Sequence, residues 1–194
     1  MNTKKLIQST ESIISLTHDE WQLLFARIQV KVLKKNEYFL KEGEICKSLA
    51  FINYGSVLYY KSAIDGTDIT TDFAFEGDWI TDNSSRINGQ QSLLNIKAIE
   101  KTELLIIQNA DLLDIYVLLP QTERLGRILI EKAYLKLVEL SLDLQVLPAA
   151  KRYLKLLNAH PDIIQRVPLY HIAYYLGIAP KSLSRIRKQM TTGN

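Results

Sequence analysis

The chain has 194 residues, 47% of them hydrophobic and 23% charged, with eight glycines, five prolines and one cysteine, Cys46. Those proportions suit a globular protein with a real apolar core, and one cysteine excludes an internal disulfide, a four-cysteine zinc site and a four-cysteine iron–sulfur cluster. The formal charge of +3 hides an asymmetry: 16 basic and 20 acidic groups precede Pro148, whereas eight basic groups and one acid, Asp162, lie from Pro148 onward, the footprint of a polyanion-binding tail module.

Residues 1–10 offer only Leu6 and Ile7 as an apolar pair, too little for the core of a signal peptide, and no run has the length needed to span a bilayer. The expected location is cytoplasmic, with no membrane partner. The first element is a short helix in which Asp19 stands at the capping position and Trp21, Leu24, Phe25 and Ile28 recur at helical spacing. The period then changes. Short β-branched or aromatic segments at 30–33, 38–40, 49–52, 56–60, 69–75, 94–99 and 103–107 are separated by turn chemistry such as Asn53-Tyr54-Gly55 and Glu76-Gly77-Asp78. Many short strands with glycine-containing turns predict an antiparallel barrel or jelly-roll-like sandwich.

Helical spacing predicts helices over 110–118 and, after Pro120, over 122–147. The long helix is apolar on two sides: Leu125, Ile128, Leu129, Leu135 and Leu142 form one stripe, and Ala133, Leu137, Leu140, Leu144 and Leu147 another. A helix apolar on two sides needs two partners. One is the β layer; the second is either the same helix of another subunit, since Ile128, Leu135 and Leu142 fall seven apart, or further burial within one chain. A basic helix over 149–157 and a short turn at 162–166 follow.

Pro168 suits the first position of a helix on which Leu169, Ile172, Ala173 and Leu176 recur at i, i+3, i+4 and i+7. Gly177 suits the left-handed end of that helix, and Pro180 opens the next one three residues later, the spacing of a helix-turn-helix. On the second helix Leu183, Ile186 and Met190 share one side, and Lys181, Ser184, Arg185 and Lys188 the other. A helix fits the DNA major groove, where arginine bonds guanine O6 and N7. Arg185 is the expected base reader with Lys181 beside it, and Ser182, Arg187 and Lys188 are expected phosphate contacts, with Pro180 opening the DNA-facing turn. A solvated basic face on a plain helical hairpin is the alternative.

The chain here resembles the Crp/Fnr transcriptional regulators. The likeness rests on Leu40-Lys41-Glu42-Gly43-Glu44, on Phe51-Ile52-Asn53-Tyr54-Gly55-Ser56-Val57, on Phe75-Glu76-Gly77-Asp78, and on the stretch from Arg166 to Lys188, similar to the Leu-Gly-Ile-x-Pro-x-Ser/Thr-Leu-Ser-Arg-Ile-Arg of short members. The resemblance implies an α+β chain: an N-terminal antiparallel β-roll of cyclic-nucleotide-binding type over 1–120, a long dimerisation helix over 121–147 carrying Leu125, Ile128, Leu135 and Leu142, and an all-α helix-turn-helix domain over 148–194. It implies double-stranded DNA with a pseudo-palindromic operator, a homodimer and RNA polymerase as partners, and an effector in the roll.

Three departures qualify that likeness. Where nucleotide-binding members carry Gly-Glu-Leu, this chain aligns Gly77-Asp78-Trp79; where an Arg-Ser or Arg-Ala pair meets the cyclic phosphate, it aligns Ser92-Leu93; and the polar pair that meets adenine on the long helix falls at Leu137 and Val138. Neither Ser92 nor Leu93 supplies the cation a buried phosphate requires, so tight cyclic AMP binding is not expected and the effector is unknown. Arg86, in the polar segment 81–86, is a replacement cation or simply part of a solvated loop. Beyond the second helix only Thr191 to Asn194 remain, so a β-wing is missing or supplied upstream. Ala179 stands where short members carry a capping Ser or Thr.

A metal-dependent oxygenase on a barrel of this kind uses histidines on its strands, but His18, His160 and His171 all lie outside the strand segments, so neither an enzyme nor a metal site is expected. His171 reads as a partly exposed packing or phosphate-contacting residue, and Cys46 as a small packing residue. The aromatics Tyr38, Phe39, Phe51, Tyr59, Tyr60, Phe73, Phe75 and Trp79 form either plain core or the lining of an apolar pocket, with Trp79 filling part of the nucleotide site. The function expected is a sequence-specific transcription regulator; the alternative is a ligand-binding sensor whose basic tail engages a protein.

Overall fold

The computed structural model describes residues 2–192. Its elements run α1 Lys4–Glu11, α2 His18–Phe25, β1 Gln29–Leu33, β2 Tyr38–Leu40, β3 Ser48–Tyr54, β4 Val57–Ser62, β5 Asp68–Ala74, β6 Trp79–Ile80, α3 Asn83–Asn88, β7 Asn95–Ala98, β8 Thr102–Gln108, α4 Asn109–Leu118, α5 Gln121–Val146, α6 Ala149–Ala159, α7 Ile163–Arg166, α8 Leu169–Tyr175 and α9 Pro180–Thr192. They form two compact units. The N-terminal unit runs to Tyr59 and resumes over Phe73–Ala133; the C-terminal unit takes the hairpin tip Tyr60–Asp72 and everything from Tyr134 onward.

Two four-stranded sheets, ordered β1-β8-β3-β6 and β2-β7-β4-β5, build the β-roll. Strand β8 pairs antiparallel with β1 (Lys31 opposite Leu104) and with β3 (Phe51 opposite Leu105). Paired on both edges, it is also buried on both faces. Leu104 and Ile106 point into the roll with Leu33, Ala50, Ile52, Val57, Ile80 and Ile96. Leu105 and Ile107 point out, where they pack with Leu6, Trp21, Phe51, Leu112 and Ile115. The alternation that produces two cores is the period of two of a strand.

Local chemistry moves several predicted boundaries. Helix α2 begins one residue before Asp19, because Thr17 and Glu20 form a reciprocal capping box and Asp19 only adds charge to the first turn. The segment expected as a loop at 81–86 folds into α3, capped by Asp82 and closed by Gly89 in the left-handed conformation, and its Ser85 is buried, so it is not a solvated loop. Strand β6 and helix α1 have no counterpart in the sequence reading. Two apolar positions are too few to show a strand period, and α1 shows only Leu6 and Ile7.

In the C-terminal unit, Tyr153, Leu156, Ile163, Val167, Ile172, Ala173, Leu176 and Leu183 are buried. Pro168 is the cap of α8 rather than its first residue. Gly177 takes φ +67° and the Ile178 N–H reaches back to the Ala173 carbonyl at 3.0 Å, so the chain reverses between α8 and α9. No strand lies between α5 and α9; the rest of the wing expectation falls on Gly193 and Asn194, outside the described residues.

Gly55, at φ +89°, has the Lys101 carbonyl oxygen 2.4 Å from where a Cβ would stand, whereas Gly43, at φ +87°, faces open space. Gly43→Ala is therefore expected to cost about 1–2 kcal/mol, the conformational term alone, and Gly55→Ala more than about 3 kcal/mol, because backbone must also move. Urea denaturation of the two variants checks the difference.

Candidate functional site

From Pro148 onward the chain carries eight basic side chains, and Arg152, Lys155 and Arg166 are among those engaged within the unit. Arg152 donates from Nε and Nη2 to the Leu176 carbonyl, at 3.1 and 2.8 Å, and from Nη1 to the Leu147 carbonyl, holding the end of α8 against the end of α5. Lys155 bridges Glu139 and Asp143 on α5, which hold its pKa above the usual lysine value. Arg166 pairs with Asp162. Most of the remaining positive charge lies on α9.

Helix α9 presents two unlike sides. Leu183 is 1% exposed and Ile186 and Met190 are half-buried, while Lys181, Ser184, Arg185 and Lys188 are exposed; Ser182, Arg187 and Pro180 fall between. The helix starts without a side-chain cap: Ala179 offers only its carbonyl, which accepts from the Ser182 and Leu183 N–H groups. Pro180 fixes the first turn and the Ser184 hydroxyl donates back to the Pro180 carbonyl at 3.2 Å.

His171 is neither partly exposed nor available to a phosphate. It is 3% exposed, and its Nδ1 lies 2.7 Å from the hydroxyl of Thr70, itself 2% exposed in the hairpin tip. The sequence separation of 101 residues hid this pairing. Lys136 on α5 reaches the same hairpin tip through Asp72, with Nζ–O distances of 2.6 and 2.8 Å. Tyr175, half-buried nearby, has its hydroxyl pKa raised chiefly by that burial, with Asp72, Asp143 and Glu139 adding to it.

The long helix is divided in its environment. Leu125 is buried and Ile128 and Leu129 half-buried, yet Tyr134, Leu135, Leu137 and Leu142 are each more than half exposed, as is Val146 at 73%. Leu137 is 64% and Val138 36% exposed, and neither has a side-chain hydrogen-bonding group.

The residues aligned with a nucleotide pocket do not form one constellation. Gly77 and Asp78 make the turn into β6, in which the Asp78 carboxylate accepts from the Phe75 N–H at 2.8 Å. Ser92 is brought instead to Asp82: its hydroxyl donates to that carboxylate at 2.8 Å and also lies 2.9 Å from the Leu94 carbonyl. Leu93 is 67% exposed. Trp79 does not fill the roll interior. On β6 its neighbour Ile80 points inward, so Trp79 points outward, edge-on to Phe51 at 5.3 Å between ring centres.

Trp79 and Arg86 instead line a cavity of about 90 Å³ with Leu49, Tyr116, Leu129 and Ile130. Arg86 donates to Asn109 and Asn83, both at 3.0 Å. Burial raises the pKa of the Tyr116 hydroxyl, against the opposing pull of Arg86, and Gly126 leaves room for that hydroxyl, which stands 2.7 Å from where a Cβ would be. Cys46 is buried, with its sulfur 3.3 Å from the Thr81 hydroxyl. Among the described residues no group of three or more His, Cys, Asp or Glu is placed to hold a metal ion, and no helix is long and apolar enough to cross a membrane.

Residues 30–117 match the family model of the cyclic nucleotide-binding domain. No curated protein matches the sequence. Among solved structures, the chain is similar to the c-di-GMP-responsive global regulator CLP of Xanthomonas campestris, with a TM-score of 0.73 at 14% identity, covering 91% of this chain and 93% of that one. It is similar to FixK2 of Bradyrhizobium japonicum, with a TM-score of 0.74 at 20% identity over 86% and 85% of the two chains. A third likeness is to a putative Crp/Fnr-family transcriptional regulator of Eubacterium rectale, with a TM-score of 0.69 at 18% identity over 92% and 85%. Residues 30–117 are therefore similar to the cyclic nucleotide-binding domain, and the chain shares its fold, over most of its length, with solved structures of Crp/Fnr-type regulators.

Proposed function

We propose that the protein is a sequence-specific, DNA-binding transcription regulator rather than an enzyme, that α8 and α9 are its helix-turn-helix, and that it acts as a homodimer on a pseudo-palindromic site. The observation that carries the reading is the two-sided character of α9: Leu183 buried, and Lys181, Ser184, Arg185 and Lys188 exposed on a helix with no acidic residue. Arg152, Lys155 and Arg166 have structural partners within the unit, and four further basic side chains gather on α9, the element that fits a major groove. Arg185 is the base reader; Lys181 supports it, and Ser182, Arg187 and Lys188 hold phosphates.

The second half of α5 is the dimer helix. Leu135 and Leu142 lie seven apart and are 63% and 56% exposed, an apolar surface that a second copy would cover. Two-fold symmetry then presents two recognition helices about 34 Å apart, one per half-site.

The effector is not cyclic AMP. A cyclic phosphate placed beside Ser92 meets the Asp82 carboxylate, which accepts the Ser92 hydroxyl at 2.8 Å, and like charge at that distance opposes binding. Leu137 and Val138 offer adenine no hydrogen bond. Isothermal titration of the full chain with cyclic AMP and cyclic GMP is expected to show no saturable heat; micromolar binding of either would overturn this part of the reading.

Selection of binding sites from a randomised duplex pool tests the DNA reading. Affinity for the selected site should fall steeply with salt as counterions are released. Arg185→Ala should relax base preference by about 1–3 kcal/mol at one position, whereas Lys188→Ala should weaken selected and random DNA alike and lower the salt slope by about one. Equal losses on both DNAs from both variants would reverse the role assignment, and no enrichment from the pool would favour a protein partner for the basic unit. Sedimentation equilibrium is expected to give a dimer for the wild type and a monomer for Leu135→Lys/Leu142→Lys, with the circular dichroism spectrum of each fold unchanged.

A further inference from the structure

Two pieces of chain join the two compact units. Helix α5 crosses once, between Ala133 and Tyr134, and the β4–β5 hairpin crosses on both strands, after Tyr59 and after Asp72. At the base of the hairpin, Val57 and Ala74 belong to the core inside the roll with Ile52 and Leu104, and Leu58 and Phe73 are buried too. At its tip the ribbon is closed by its own bonds. The Ala63 N–H donates to the Thr67 carbonyl at 2.8 Å, the Gly66 N–H to the Ala63 carbonyl at 2.9 Å, and the Ser62 hydroxyl to the Asp68 carboxylate at 2.8 Å. A ribbon bonded in this way is a rigid element, which passes on a displacement of one end rather than absorbing it.

One face of the tip is committed to the C-terminal unit. Along β5 the side chains alternate: Ile69 and Thr71 are exposed, whereas Thr70 is 2% exposed and Asp72 half-buried. Thr70 meets His171 Nδ1 of α8 at 2.7 Å, and Asp72 meets Lys136 Nζ of α5 at 2.6 Å. The two contacts differ in weight. The Lys136 and Asp72 side chains are 51% and 36% exposed, so water and salt screen that pair. Thr70 and His171 are both buried, and withdrawing either leaves a buried polar group short of a hydrogen bond. On α8, His171 is followed by Ile172 and Ala173, both 0% exposed, so the imidazole belongs to the packed side of the helix. A bond of this kind survives a displacement of no more than about 1 Å; it is made or broken rather than graded.

We propose that the β4–β5 hairpin is a strap through which the roll and helix α8 act on one another, with the Thr70–His171 hydrogen bond as its latch and the Asp72–Lys136 pair as a second, salt-sensitive tie. Its base is packed in the roll and its latch in the C-terminal unit, so a shift of the base strains or opens the latch, and an opened latch frees α8. The coupling is reciprocal: what displaces α8 is felt at Val57 and Ala74. The strap goes beyond the regulator reading and needs it only for a consequence at DNA.

Amide hydrogen exchange of the full chain, read by mass spectrometry, tests the strap with two variants: Thr70→Val keeps the shape and removes the hydroxyl, and Thr70→Ser keeps the hydroxyl. Thr70→Val is expected to speed exchange over 60–72 and over α8 by about threefold to tenfold and to leave β8 at the wild-type rate. Thr70→Ser should stay within about twofold of wild type on α8. Unchanged exchange on α8 in Thr70→Val, or equal rates on α8 in the two variants, would overturn the latch. Transmission is read with Val57→Ala, which loosens the base. Measured as the excess over β8, which reports global opening, this variant should speed α8 by about threefold in the wild-type background and add almost nothing to Thr70→Val. An equal acceleration in both backgrounds, or none in either, would overturn the strap; should Val57→Ala not fold, Ala74→Gly replaces it. Because no DNA is present, failure here is distinct from failure of the regulator reading.

Discussion

Strand β8 is paired on both edges and buried on both faces, and the arrangement of the N-terminal unit depends on it. With β1 on one side and β3 on the other, its backbone hydrogen bonds are spent within the sheet, so its apolar run Leu104-Leu105-Ile106-Ile107 can leave water without unpaired polar groups. One face then needs the second sheet and the other needs helices. The roll and its helical cover follow from one strand that has no side on which to be polar.

That division decides what each neighbouring position can do. On β6, Ile80 shares the inward face and Trp79 the outward one, so the residue aligned with a nucleotide cassette is turned away from the roll interior. The same separation sends Arg86 to a cavity beside Tyr116 and α5 while Ser92 is tied to Asp82. The polar groups of this unit are committed to one another: Ser92 donates to the Asp82 carboxylate, and Arg86 to two amides.

In the C-terminal unit the comparable economy is one of charge. Arg152 closes the carbonyl ends of α5 and α8, and Lys155 ties α6 to α5 through Glu139 and Asp143. These groups count toward the positive balance of the sequence yet have structural partners inside the unit, backbone carbonyls for Arg152 and carboxylates for Lys155. Four of the other basic side chains, Lys181, Arg185, Arg187 and Lys188, lie on α9.

The strands with clear alternation, the long helix and the helical pair with its Gly177 turn were legible in the sequence, because their periods and their turn residue are local properties. Thr17 as the cap of α2, strand β6 and helix α3 were not, since each depends on a partner: Glu20 for the first, Ala50 and Phe51 for the second, and Cys46 and Gln90, which the Ser85 hydroxyl engages, for the third. Chain order likewise showed which residues of α9 share a side, but not that Arg152 and Lys155 are internally engaged. His171 marks the limit most plainly. Its sequence neighbours read as a surface helix, and only the return of the hairpin tip, which sets Thr70 against it, makes it a buried hydrogen-bonded group. What the sequence by itself determined is periodicity, turn chemistry and charge balance, which act over a few residues. Only the tertiary structure decided which polar groups meet, because hydrogen bonds and ion pairs form between side chains that distant folding brings within about 3 Å of one another.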